Sequence, residues 1–440
     1  MSPDAPAAKP APSDGLRAAV EALAEGTLTA RAFCDSCLER ARADEATIKA
    51  WAVLDEGRAR SIAATRDVRD AHGSLHGIPV GVKDIFDTED LPTEMGSPVF
   101  VGNRPARNAQ LVERIVASGG YAFGKTATTE FAFMHPAETR NPWNPRHTPG
   151  GSSSGSAAAV AAGHVPVAVG TQTNGSVIRP AAFCGVVGFK PTLDTLPIQG
   201  ALPFAETLDQ VGVFARSVED AGYLTACLAE PGAFTAEVEA LSRPPRVAVL
   251  LRFPWNAAER DAAAQLQATL RRLITAGTEV KELDLPEEFE DAKQVHRTIM
   301  LYEGAREHAP RQAAHRRIMS SELNAAIDEG LAMSHDEYRA ALARRAALAE
   351  MSLDLFSDCD AVASLPAPGV APGRLDITGD PSFCTLWTLV GFPAITLPTA
   401  VAESGLPHGI QLAGAAREDA RLLRVARWCE AAIGFQRRSR

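Results

Sequence analysis

Residues 149–156 read Pro149-Gly150-Gly151-Ser152-Ser153-Ser154-Gly155-Ser156, and residues 170–176 read Gly170-Thr171-Gln172-Thr173-Asn174-Gly175-Ser176. Between these loops lie a small-residue run, Ser156 to Ala162, that predicts a helix, and an apolar run, Val165 to Val169, that predicts a buried strand. Ser152 and Ser176 stand 24 residues apart and bracket that helix and strand. The spacing lets both serine loops meet at one edge of a sheet. A Gly/Ser run is ordinarily a flexible linker, but this one lies between committed segments and opens a tight Ala-rich helix. A second apolar run, Ile78 to Val82, predicts a strand leading directly into Lys83 and Asp84.

Outward from these loops, strands and helices alternate. Ala109 to Ser118 has amphipathic helical spacing, and Tyr121 to Phe123 reads as a buried strand. Further strands are expected at Arg246–Leu251, Ala361–Leu365, Ala394–Leu397 and Gly409–Leu412. Asn256 to Ala276 and most of 287–349 read as helices, one of them opened by a Ser334/Glu337 capping box. The alternation implies an α/β fold around a largely buried sheet. No Gly/Ser or Pro linker divides the chain, so residues 14–440 are expected to form a single domain with a helical insertion at about 256–350. Residues 1–13 are Ala/Pro-rich without an apolar segment and read as a disordered leader rather than a signal peptide.

The 440 residues are 46% hydrophobic and 22% charged, ample material for a large core. Lys plus Arg total 44 against 54 Asp plus Glu, a net charge of −10, which argues against a nucleic-acid partner. No apolar stretch is long enough to cross a bilayer, so no membrane partner is expected. Seven cysteines are scattered without a disulfide framework, which points to a reducing cytoplasm. Cys34 and Cys37 form a C-x-x-C, but they fall in the helix-like run Ala30 to Ala43 with no second pair to complete a zinc site. They read as helix packing, and neither a metal nor a cofactor is expected.

Two motif matches fail on context. Gly119-Gly120-Tyr121-Ala122-Phe123-Gly124-Lys125-Thr126 matches a phosphate-binding loop letter for letter. A helix, not a strand, precedes its first Gly, and its middle looks like a strand itself. Gly151-Ser152-Ser153-Ser154-Gly155 matches a nucleophile elbow with Ser153 at the tip, but no strand precedes it.

The combination of Lys83 after its apolar strand with the two serine loops resembles the amidase signature family. The likeness runs from about Leu75 to Ala226. It includes the run Pro149 to Ser156, the run Arg179-Pro180-Ala181-Ala182-Phe183-Cys184-Gly185, the segment Phe189-Lys190-Pro191-Thr192, and Leu208-Asp209-Gln210-Val211-Gly212. Weaker similarity covers the N-terminal helices and the C-terminal part. The resemblance implies an amidase-signature fold: a large mixed, mostly parallel β-sheet covered by helices on both faces. It implies Ser176 as nucleophile, Ser152 as a bridging serine preceded by a cis peptide, and Lys83 as base. This chain departs from the commonest pattern at Gln172, where many members carry Asp, at Asn174, where many have Gly, and in placing Arg179 three residues after Ser176 instead of two. These departures leave the triad intact and put the supporting roles of Gln172 and Arg179 in question.

The chemistry is consistent with those residue types. A serine hydroxyl is a weak nucleophile until a neighbouring base takes its proton, and a lysine serves at neutral pH only if burial lowers its pKa. The turn Thr173-Asn174-Gly175 is expected to supply backbone N–H groups to the oxyanion. The expected reaction is acyl transfer to water from a small amide, ester or carbamate. Phe133, Met134, Phe383 and Trp387 are candidate pocket residues, each also a candidate for plain core. If they line a pocket it is apolar, favouring aryl or alkyl amides and carbamates. The alternative is a component like the A subunit of a glutamine amidotransferase, active only inside a complex. A monomer or a homodimer is compatible with the sequence.

Overall fold

The apolar runs flanking the serine loops become neighbouring strands of one sheet. The structure is a computed structural model that describes residues 15–68, 73–230, 232, 234 and 241–436. The expected leader, 1–13, lies outside the described residues. In chain order the strands are β1 (Trp51–Val53), β2 (Pro79–Lys83), β3 (Tyr121–Thr126), β4 (Val167–Gln172), β5 (Val187–Lys190), β6 (Gln210–Ala215), β7 (Arg246–Val249), β8 (Glu279–Glu282), β9 (Ala361–Ser364), β10 (Ala394–Val401) and β11 (Pro407–Ala413). They form a single 11-stranded sheet in the order β1-β3-β2-β4-β6-β5-β10-β11-β9-β7-β8. Every residue of β2, β3, β4, β5 and β6 is buried, so helices and loops cover both faces of the sheet's first half.

The sheet is mixed, as expected, but not mostly parallel. Parallel pairing is confined to β2–β3, β2–β4, β7–β8 and β7–β9. The other neighbours, through the middle of the sheet and at its β1 edge, pair antiparallel. The reason lies in the connections. A parallel pair needs a long crossover, whereas β10 and β11 are joined by a short turn at 402–406, and β6 follows β5 without an intervening helix. Strands β5 and β6 are not among the strands expected from the sequence.

The 256–350 segment is mainly helical, through Arg260–Thr275, Ala292–His315, Ser321–Ala332 and His335–Asp354, and it also contributes β8. That strand is a solvated edge whose charged residues discourage further pairing. The Ser334/Glu337 capping box is present in full. Cys34 and Cys37 are buried in the helix Ala30–Ile48, and the described residues contain no cluster of metal-ligating side chains. No helix among them is long and apolar enough to cross a membrane.

Both motif matches resolve as structure. Tyr121 to Thr126 is the strand β3 itself, and the buried Lys125 ammonium pairs with Asp84 at 3.1 Å and donates to the Phe86 carbonyl at 2.9 Å. Ser153 precedes the helix Ser154–Ala162 and donates its hydroxyl to the Thr171 carbonyl at 3.2 Å. This contact requires Gly170, because a Cβ there would stand 2.6 Å from Ser153 Oγ. Gly155 is needed for a similar reason. A Cβ on it would meet the Ala50 carbonyl at 2.2 Å and the Ala127 nitrogen at 2.3 Å, so only Gly lets the start of that helix press against the chain leaving β3.

Candidate active site

β2 and β4 run parallel and adjacent, so their C-terminal ends open at one edge of the sheet, where α/β proteins commonly place their sites. Lys83 is the last residue of β2 and is fully buried. Its Nζ lies 2.7 Å from Ser152 Oγ and 2.9 Å from Thr171 Oγ1, donating to both. Loss of hydration without a bonded counter-charge lowers the Lys83 pKa to about 7, a shift that the Asp209 carboxylate opposes in part. The Gly151–Ser152 peptide bond is cis. The Ser152 carbonyl accepts from the Thr129 N–H at 3.2 Å, tying the serine loop to the chain beyond β3.

The chain from Ser152 passes through the helix Ser154–Ala162 into β4 and returns to the same edge at the turn 173–176. There the two loops touch, with the Ser153 N–H donating to the Ser176 carbonyl at 3.4 Å. Ser176 retains a small exposed surface, and its hydroxyl has no hydrogen-bond partner among the described residues.

The turn's carbonyls are all engaged. Thr173 O accepts from His296 Nε2 at 2.8 Å, Asn174 O from Thr388 Oγ1 at 2.5 Å, and Gly175 O from the Arg179 N–H at 3.0 Å. The backbone N–H groups of Asn174, Gly175 and Ser176 donate to no described residue. A row of backbone donors without partners is what a developing oxyanion needs. The expected oxyanion residues Thr173, Asn174 and Gly175 make up this turn together with Ser176.

Gln172 and Arg179 acquire distinct places. Gln172 Oε1 accepts from the N–H groups of Val177 and Ile178 at 2.8 and 3.0 Å, and its Nε2 donates to Thr388 Oγ1 at 2.9 Å. It thus caps the helix Ile178–Cys184, which follows Ser176, without adding charge. Arg179 is buried, and its Nη2 donates to the Gly151 carbonyl at 2.6 Å and to Thr378 Oγ1 at 3.2 Å. Burial pulls its pKa down to about 10.

The four candidate pocket residues fare differently. Phe383 and Trp387 have no exposed surface; they pack on Phe253 and Phe356 and are core, not pocket wall. Phe383 and Trp387 stand four residues apart, a spacing that suits burial against the core at a helix such as Thr385–Leu389. Met134 is half exposed, and Phe133 is partly buried and stacks on Phe204 with ring centroids 4.8 Å apart.

Sequence reading missed Asp209, which sits in the quoted run Leu208–Gly212 but drew no role there. It is buried and accepts from Thr173 Oγ1 and from the N–H groups of Phe204 and Ala205 at 2.7 and 3.1 Å. Burial raises its pKa to about 6 against those bonds. Thr171, His296 and Thr388 were missed as well, because single polar residues in helical or strand runs carry no local signal. Beside Asp209 lies a cavity of about 650 Å³ lined by Phe204, Glu206, Tyr302, Glu303 and Arg306 among others. Its walls are more polar than the apolar pocket expected.

A serine pair, a buried lysine at the shared end of parallel strands and a row of backbone N–H groups without partners among the described residues make up the candidate site. Residues 32–423 match the family model described as Amidase, and the chain belongs to the amidase signature family, hydrolases that act on C–N bonds. Among its relatives, the chain is 32% identical over 481 residues to the A subunit of glutamyl-tRNA(Gln) amidotransferase from Anaeromyxobacter sp. (strain K), covering 96% of each chain. It is 31% identical over 434 residues to 2-amino-5-chloromuconic acid deaminase of Comamonas testosteroni, covering 92% of this chain and 93% of that one. A crystal structure of an amidase superimposes with a TM-score of 0.88 at 32% identity, covering 95% of this chain and 99% of the other.

Proposed function

We propose that this chain hydrolyses a small amide through a Ser176–Ser152–Lys83 relay. The observation that carries the reading is the buried Lys83 Nζ 2.7 Å from Ser152 Oγ. Ser176 Oγ attacks the amide carbon. Its proton passes to Ser152 Oγ as the Ser152 proton passes to the neutral Lys83 amine. The oxyanion forms against the N–H groups of Asn174, Gly175 and Ser176. The tetrahedral adduct collapses with cleavage of the C–N bond, and the proton returns through Ser152 to the departing nitrogen. Water then enters by the same relay, releases the acid and restores Ser176.

Because Lys83 must be neutral to accept a proton, kcat/KM should rise with pH through about 7, where its ammonium loses its proton. A pH profile from about 5 to 9 on the isolated chain checks this. A rate flat through neutrality would place the titrating base elsewhere.

Arg179 bears on the substrate. Its Nε and Nη1 have no acceptor among the described residues. A Cβ added at Gly175 would stand 3.2 Å from Nη1, so the guanidinium lies between the two serine loops. A buried guanidinium with unpaired nitrogens favours an anion beside it. The amide is therefore read as one that also carries a carboxylate, in preference to the uncharged aryl amide or carbamate, whose expectation rested in part on Phe383 and Trp387, both of them core. The acid in the name of the Comamonas relative accords with this. Succinamate should be turned over with kcat/KM about 10²-fold above butyramide, and Arg179→Gln should erase that preference. Faster turnover of aryl amides or aryl carbamates, unaffected by Arg179→Gln, would return the apolar reading.

A second reading is favoured by the identity to amidotransferase A subunits. In that case the isolated chain would release ammonia from none of these amides and would act on glutamine only in a complex.

A further inference from the structure

We propose that His296 is a positioning residue for the reaction, holding the Asn174 N–H on its line to the oxyanion. This rests on the reading of 173–176 as the oxyanion turn. His296 belongs to the helix Ala292–His315, in the segment the sequence marked as a helical insertion, and it is 1% exposed. Its Nε2 meets the Thr173 carbonyl at 2.8 Å. A carbonyl only accepts, so Nε2 carries the proton.

The consequence follows from peptide geometry. The Thr173–Asn174 bond is an ordinary trans peptide, and in a planar trans peptide the carbonyl and the next N–H point in opposite directions. Fixing Thr173 O toward His296 therefore fixes the Asn174 N–H toward the side away from His296. Thr388 does the same for the Gly175 N–H by holding Asn174 O, and the Arg179 N–H does it for Ser176 by holding Gly175 O. The Asp209 bond to Thr173 Oγ1 restrains the side chain of that residue but leaves its peptide plane free to turn. Of the three planes, the one before Asn174 is held by His296 and the one before Gly175 by Thr388, both from outside the signature core. Loss of hydration drives the His296 pKa down to about 4, so the ring stays neutral in the working pH range. The groups facing the ring include Arg345, whose charge acts in the same direction.

The test compares three variants in the full chain on the best amide substrate, with circular dichroism and melting temperature as folding controls. His296→Gln places a side-chain N–H at the reach of Nε2 and should retain kcat within about 3-fold. His296→Asn is one bond too short, and His296→Leu has no donor. Both should lose roughly 10–10²-fold in kcat, part of the 10²–10³-fold lost with a whole oxyanion donor, with KM nearly unchanged. Affinity for a boronic acid that forms a tetrahedral adduct with the nucleophilic serine should fall in parallel. Equal kcat in the Gln, Asn and Leu variants, or losses in the folded Asn variant carried by KM with boronate affinity intact, would overturn the assignment. Failure of the underlying reading is distinguished by Ser176→Ala, which would then leave turnover of the parent chain intact.

Discussion

Ser176→Ala should lower kcat on an amide substrate by roughly 10⁴–10⁶-fold while leaving the fold intact. The turn holds its shape through carbonyl bonds from His296, Thr388 and the Arg179 N–H and through the Gln172 cap, none of which uses the Ser176 hydroxyl. The melting temperature should therefore move little, and what remains of the rate should come from substrate binding and the oxyanion donors. Acid-quench mass spectrometry adds an independent readout. An acyl group should be found on the peptide containing Ser176 in the parent chain and be missing in the variant. An acyl group on the Ser152 peptide, or turnover within about 10-fold of the parent, would reassign the nucleophile.

Lys83→Met should lose about 10²–10⁴-fold in kcat and, in the opposite direction, gain stability. The Lys83 pKa falls from 10.5 to about 7 on folding. Between those values the unfolded chain binds more protons than the folded one, so the residue's contribution to stability grows as pH rises through that window and is most unfavourable below pH 7. A shift of that size corresponds to roughly 5 kcal/mol at most. Methionine fills a similar volume and carries no charge, so the variant's advantage in melting temperature should be larger at about pH 6 than at about pH 9. Equal differences at the two pH values would mean that the buried amine is not destabilised by its ammonium form, and the low pKa would lose its support. A normal kcat would remove Lys83 from the mechanism.

Much of the site was legible because its elements announce themselves locally. Gly-Gly-Ser-Ser-Ser-Gly before an Ala-rich helix, Asn-Gly-Ser after a buried strand, and Lys at the end of Ile-Pro-Val-Gly-Val each combine a backbone demand with a chemical group. Asp209, Thr171, His296 and Thr388 do not. Each is one polar residue within an ordinary strand, helix or turn pattern, and its partner is far along the chain. His296 is 123 residues from Thr173, and Thr388 is 214 from Asn174. The same limit explains the pocket. Phe383 and Trp387 are apolar residues with helical spacing, a pattern that burial in the core satisfies as well as a pocket wall does.

The sequence alone determined the α/β class and the bracketing of one helix and one strand by two serine loops, because hydrophobic period, glycine placement and spacing are local properties of a chain; the part expected of Lys83 came from the resemblance to the amidase signature family. Only the tertiary structure decided that the sheet turns antiparallel through its middle, that Arg179 lies buried between the serine loops with unpaired nitrogens, and that His296, on a helix far away in sequence, bonds to the Thr173 carbonyl. Those features depend on which distant segments meet, and the free energy of such contacts is written in burial and partner geometry, not in any short run of residues.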